Sequence, residues 1–198
     1  MSGRHRILRN LLNSMRAGKS SLVPVTRNLR HALTLKPFSE ERVDEFIISP
    51  LKHDKLAAAE KVYARINEGK PLSLTNRLLM RLLGSRLCAA LYDPTGDLVG
   101  ISLYYFNKRD VHENSIHEAF IGLIEKQRGK KLGTAMRRHA LNHFAATPIK
   151  AVSSRVSRDN VASLNSNLKL GFRPAEEYFD EKLGEHRYYL VCDLDRYR

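Results

Sequence analysis

Hydrophobic residues in this chain follow two rhythms, and the change between them falls near residue 87. Before that point they recur every three or four positions, the repeat of a helix with one buried side. Over 51–67 the stripe is Leu56, Ala59, Val62 and Ile66, stopped by Glu68-Gly69-Lys70-Pro71. Over 73–83 Leu74, Leu78, Leu79 and Leu82 cluster in the same way, with Gly84 as a C-terminal stop. Ser39 can cap a helix over 40–49, acidic in its first turn and ended by Pro50. Upstream, 31–36 reads as a short strand closed by Pro37, and 18–28 as a linker.

After residue 87 short apolar runs dominate. Residues 87–92 and 98–106 flank Asp93-Pro94-Thr95-Gly96-Asp97 and form a hairpin. A strand over 115–125 follows, then a helix over 131–146 with Leu132, Met136, Ala140 and Phe144 on one side. Next come a strand over 149–156 and a helix over 160–170 that buries Val161, Leu164 and Leu168 and stops at Gly171. Strands over 173–179 and 186–194 follow, joined by a turn containing Gly184. A helical front, an antiparallel meander and a strand–helix alternation predict an α/β fold, one mixed sheet with helices on both faces.

With 198 residues and 42% apolar content, the chain suits one domain with a core of its own. Two cysteines, Cys88 and Cys192, exclude a disulfide scaffold or a multi-cysteine zinc site, and read as buried small residues. No apolar run reaches the roughly 20 residues that span a bilayer. The formal net charge is +13, and eight cations precede the first acid, Glu40. Such a field attracts anions, or simply solvates a basic tail. Residues 1–30 therefore read as a basic extension and linker ahead of a domain over 31–198. Ile7, Leu8, Leu11, Leu12 and Met15 recur at helical spacing between arginines, which suits a membrane surface, a partner or the domain itself. The acid-free start is also compatible with a transit peptide.

The chemistry concentrates where the strand over 115–125 runs through a basic, Gly-containing turn into a helix. A helix start offers unpaired N–H groups and partial positive charge. Gly129 and Gly133 permit close backbone approach, and Arg128, Lys130 and Lys131 add charge, so the turn suits a pyrophosphate. Neither the dinucleotide fingerprint nor the P-loop spacing is present. An ordinary strand–helix turn with surface cations would look the same.

A second motif follows at fixed distance. Arg128-Gly129-Lys130-Lys131-Leu132-Gly133 matches Q/R-x-x-G-x-G/A, and Asn160-Val-Ala-Ser163 through Asn167 to Gly171-Phe172 matches N-x-x-A-x-x-x-Y-x-x-x-G-F. In this order and spacing the chain resembles the GNAT superfamily of acetyl-CoA-dependent N-acetyltransferases. The resemblance covers about 165 residues, its diagnostic part 115–172. It implies a mostly antiparallel sheet of six to seven strands with a splayed parallel pair. It implies acetyl-CoA as co-substrate, and no metal. The backbone of Leu123, Ile124 and Glu125 would pair with the pantetheine arm. Amides from Arg128 through Gly129, Lys130, Lys131, Leu132 and Gly133 to Thr134 would hold the pyrophosphate. Asn160 would contact the arm, and an amine would attack the thioester directly.

Three positions depart from the pattern. Lys131 replaces a glycine, which matters if the turn needs positive φ. Ser163 replaces an alanine. Asn167 replaces the tyrosine that commonly protonates the leaving thiolate; an amide hydrogen-bonds sulfur but delivers no proton at neutral pH.

A protonated amine needs a base. Strict alternation puts Glu118, Phe120, Gly122 and Ile124 on one face and His117 on the other. Glu118 is the preferred base, against the plain alternative of a strand carboxylate paired with a cation. Tyr178, Tyr188 and Tyr189 are candidate acids. His139 and His143 stand at i, i+4 but lack a third metal ligand. Tyr104, Tyr105 and Phe106 read as strand core rather than a base-stacking platform. The expected function is N-acetyl transfer to an amine acceptor, a small molecule such as an amino sugar or a peptide amine, in the cytoplasm. The alternative is a catalytically degenerate basic module for an anionic partner such as nucleic acid.

Overall fold

A computed structural model describes residues 23–198. The amphipathic stretch from Ile7 to Met15 lies outside the described residues. Eight strands form one sheet in the order β1-β2-β3-β4-β5-β6-β8-β7. They are β1 (Glu41–Val43), β2 (Phe46–Pro50), β3 (Cys88–Tyr92), β4 (Leu98–Tyr105), β5 (Ser115–Leu123), β6 (Ala151–Ser157), β7 (Arg173–Asp180) and β8 (Glu185–Asp193). All neighbours are antiparallel except β5 and β6. The mixed, mostly antiparallel sheet is the one expected, with one strand more than the upper count.

The helices are α1 (23–32), α2 (Leu56–Ile66), α3 (Leu74–Leu87), α4 (Lys108–Glu113), α5 (Leu132–Ala145) and α6 (Val161–Lys169). α2 lies on one face of the sheet, where Tyr63 packs on Phe120 with ring centroids 4.7 Å apart. A Cβ at Gly122 would stand 2.8 Å from Ile66, so the glycine sets how close α2 comes. α5 covers the other face, with Phe144 edge-on to the buried Tyr104 at 5.0 Å. Its C-terminal end is tied down by Arg198, whose guanidinium donates to the carbonyls of Ala145 (3.3 Å) and Ile149 (2.7 Å). At Gly171 (φ +83°) the Arg196 guanidinium fills the space a side chain would take.

Five local expectations change, one of them on α6, which buries Asn167 while Val161 and Leu168, expected inside, are exposed. Residues 40–49 form the β1–β2 hairpin, not a helix. Phe46 and Ile48 are buried while Ile47 is exposed, a period of two, and β2 gains β3 as a partner. The strand expected over 31–36, and the linker expected over 18–28 as far as it is described, give way to α1 over 23–32, so the helix runs through the boundary drawn at residue 30. Its fully buried Asn28 accepts from the Phe106 N–H (2.7 Å) and donates to the Phe106 carbonyl (3.1 Å), capping the end of β4 as another strand would. Gly84 does not end α3. It sits inside the helix, where a Cβ would lie 3.3 Å from the Leu51 carbonyl, and the buried side is Leu79, Met80, Leu83 and Leu87, with Leu74 and Leu82 exposed. The short α4 was not expected; Asn107 and Asp110 form its reciprocal capping box.

On α5, His143 stacks on Phe38 at 4.1 Å, and His139 meets Glu41 through Nδ1 at 2.7 Å. The Nε2 atoms of both histidines are buried without a partner. Burial, then the neighbouring His139, pushes the His143 pKa down to about 4. The unfolded chain therefore binds a proton at His143 that the folded protein refuses between about pH 6.5 and 4, and stability falls as pH falls through that window. In His143→Phe, unfolding at pH 5 should take up about one proton fewer. Urea midpoints measured against pH check this; an unchanged slope refutes it.

Candidate functional site

β5 and β6 run in parallel register from Ser115–Ala151 to Glu118–Ser154 and then part, although each strand continues. The parting coincides with an irregularity in β5. Leu103 of β4 pairs with Phe120, but Tyr104 pairs with Glu118, so Ala119 is the extra residue of a bulge. The bulge overturns strict alternation. Glu118 shares its face with Ile121 and Leu123, toward α5, while His117 shares the α2 face with Phe120 and Gly122.

A cleft of about 640 Å³ opens where the strands separate, and residues of both faces line it. Ile66, Phe120 and Gly122 belong to one side; Ile121, Leu123 and Arg137 belong to the other. The expected phosphate residues Arg128, Gly129, Lys131, Leu132, Gly133 and Thr134 line it, as does Asn160. Lys130 points elsewhere, its Nζ on Gln127 Oε1 at 2.8 Å. Leu123 lines the cleft, but Ile124 and Glu125 do not. The Ile124 N–H is donated to Val99 (2.9 Å), and Glu125 opens a 3₁₀ turn. The stretch of β5 available to a ligand is therefore the segment ending at Leu123, two residues earlier than expected.

α5 begins in the cleft without a side-chain cap, leaving the first-turn amides to whatever occupies it. Lys131 precedes the helix in the left-handed conformation, φ +60°. The turn thus does need the backbone geometry that glycine adopts freely, and lysine holds it at a penalty of about 1–2 kcal/mol. Gly129 (φ +80°) supplies the other left-handed position with open space around it.

The polar floor of the cleft is a buried ion pair. Arg137 donates from Nε and Nη2 to the two oxygens of Glu118, both at 2.8 Å, and each side chain is 3% exposed. Glu118 also accepts from Ser154 Oγ (3.2 Å) and Tyr104 OH (3.5 Å). Burial opposes the Arg137 charge, but Glu118 more than offsets it, so its pKa is raised. Burial, then Glu118, holds the Tyr104 phenol well above its ordinary value. Arg137 Nη1 continues to Ser166 Oγ (2.7 Å), which meets Thr134 Oγ1 (2.9 Å). Helix α5, helix α6 and strand β5 are joined across the cleft by this chain.

Asn160 caps α6, its Oδ1 accepting from the Ser163 N–H at 3.1 Å. Asn167 is fully buried; its Nδ2 donates to the Ser163 carbonyl (2.9 Å), and its Oδ1 has no partner. It does not line the cleft. Of the tyrosines proposed as acids, Tyr189 is 1% exposed and aims its hydroxyl at Asp110 (3.5 Å), away from the α5 start. Both cysteines are buried, and burial pushes Cys192 up to about 11, so its thiol stays protonated. Arg137 and Ser166 are the residues sequence reasoning missed. Arg137 on α5 lies one turn after Gly133, which is the signal that could have drawn it in.

The acetyltransferase (GNAT) family model matches residues 51–172, and the chain belongs to that family. Membership makes it an acyltransferase of the N-acetyltransferase type. No curated protein matches the sequence. Among solved structures it is similar to the ribosomal-protein-S18-alanine N-acetyltransferase of Escherichia coli (19% identity, 75% of this chain and 94% of that one, TM-score 0.61). It is similar to the ribosomal-protein-S5-alanine acetyltransferase of Vibrio fischeri (14%, 81% and 99%, TM-score 0.66). It also resembles a spermidine/spermine N-acetyltransferase of Vibrio cholerae (12%, 78% and 97%, TM-score 0.61). At these identities the likeness establishes the fold.

Two outcomes follow from the site. Breaking the buried pair by Arg137→Met should destabilise the protein by about 3–5 kcal/mol, and Arg137→Met with Glu118→Leu should recover most of that. Denaturation of the three proteins checks it; additive losses in the double variant contradict it. Lys131→Gly should raise stability by about 0.5–1 kcal/mol, because relief at positive φ exceeds the added freedom of the unfolded chain. An unchanged or lower midpoint contradicts that.

Proposed function

We propose that the protein transfers the acetyl group of acetyl-CoA to an amine acceptor by direct attack. The uncapped start of α5, opening into a cleft that passes between two parted strands, supports this reading above all. Backbone amides of Leu132, Gly133 and Thr134 carry partial positive charge toward a diphosphate, with Arg128 and Lys131 alongside. The segment of β5 from Ala119 to Leu123 gives an extended ligand arm a strand to pair with. Arg137 and the Ser166–Thr134 pair line its inner wall.

Glu118, first expected as the base, has both oxygens engaged by Arg137. We assign it a positioning role: it fixes Arg137 in the cleft and pins β5 at the bulge. Asn167 has no proton to give, so coenzyme A departs as a thiolate that draws its proton from water or from the released amine proton. The acceptor is a small-molecule or peptide amine.

The test is calorimetry with acetyl-CoA, followed by thiol release with spermidine and with a peptide beginning in alanine. The expected result is binding that weakens as salt rises, and turnover with at least one amine. No heat with acetyl-CoA or coenzyme A overturns the proposal. Binding without turnover on either amine favours the degenerate module instead.

A further inference from the structure

On the α2 face, one rung before β5 and β6 part, stands a histidine with a fixed hydrogen-bond chain behind it. His117 Nδ1 meets Ser153 Oγ at 2.7 Å, and Ser153 donates to Asp110 Oδ1 at 2.8 Å. Asp110 is fully buried and accepts as well from Ser115 Oγ (2.9 Å) and, at Oδ2, from the Asn107 N–H (3.2 Å). A serine has one hydroxyl proton, and here it goes to the carboxylate. Ser153 can therefore only accept from His117, which puts the imidazole proton on Nδ1 and leaves Nε2 as the basic nitrogen. The ring is held edge-on to Tyr105 (5.3 Å) and parallel to Tyr189 (6.1 Å).

The next residues on the same face are Phe120 on β5 and Arg155 on β6, and Phe120 lines the cleft. The α5 face at this level is filled by the Glu118–Arg137 pair. We infer that His117, oriented through Ser153 by Asp110, is the general base for the acceptor amine; itself buried and outside the cleft lining, it reaches the amine through water on the α2 face. The inference rests on the acetyltransferase reading above. In the step, the acceptor attacks the thioester carbonyl carbon as the neutral amine. The N–C bond forms, the nitrogen gives up one proton through water to Nε2, the C–S bond breaks, and sulfur leaves with the electron pair. The imidazolium returns that proton through water to the thiolate.

Burial, against the charge of Asp110, lowers the His117 pKa to about 4; Arg155 and Arg187 lower it further and Glu118 raises it. The ring is therefore neutral across the physiological range. It loses its base function only as the pH drops toward that value.

Three measurements test this. Nitrogen NMR of the ligand-free protein at pH 7 should find His117 protonated at Nδ1; the Nε2–H form overturns the inference. His117→Gln should lower kcat with the active amine by about 100-fold or more, with the acetyl-CoA Kd within twofold. The milder Ser153→Ala should lower kcat by about tenfold and let the tautomers mix. If His117→Gln turns over at the wild-type rate, the inference fails while the acetyltransferase reading stands. If the wild type binds no acetyl-CoA or acetylates neither amine, both fail.

Discussion

A carboxylate and a guanidinium, each almost wholly out of water, meet at the point where two parallel strands stop pairing. Neither charge is tolerable alone at that depth; Glu118 accepts two hydrogen bonds from Arg137 and one each from Ser154 and Tyr104. The pair holds β5 to α5 beside the bulge at Ala119. Beyond it β5 and β6 diverge, and the cleft fills the gap. The start of α5, the Ser166–Thr134 contact and the exposed edge of β5 all take their positions from that anchor.

The cleft passes through the sheet, so its two mouths differ in chemistry. One carries the uncapped helix start, two left-handed backbone positions and cations suited to a diphosphate. On the other face aromatic rings frame His117, with the Asp110 carboxylate behind it. On the proposed reading, opposite faces of one sheet separate diphosphate binding from proton transfer. The one-residue bulge makes the separation possible, because it sends Glu118 and Phe120 to different sides.

Much of this was legible in the sequence, for identifiable reasons. The strand–turn–helix from Ser115 to Ala146 combines a period of two, glycines and a long apolar stripe, and these agree locally. The same is true of the last hairpin; α6 was legible as a helix but not in which side it buries. The front of the chain misled because acids after Ser39 imitate a helix start, whereas the alternation of Phe46, Ile47 and Ile48 carried the decision. Gly84 imitates a helix stop but serves a close approach to Leu51. The bulge leaves no composition signal at all, so every face assignment on β5 before Phe120 was out of step. The ion pair was hidden for a related reason: Glu118 and Arg137 are 19 positions apart and meet only in the folded chain.

One feature at the far end of α5 bears on the cleft. Arg198 and Arg196 look like a ragged basic tail, yet the first clamps the carbonyls of Ala145 at the end of α5 and of Ile149 beyond it, and the second occupies the space over Gly171. Helix α5 is therefore held at its back by residues 194–198 while its front presents free amides. Proteolytic trimming after Asp193 would loosen the rear of the helix and blur the aim of its leading turn, some twenty ångströms away, about the length of a 14-residue helix.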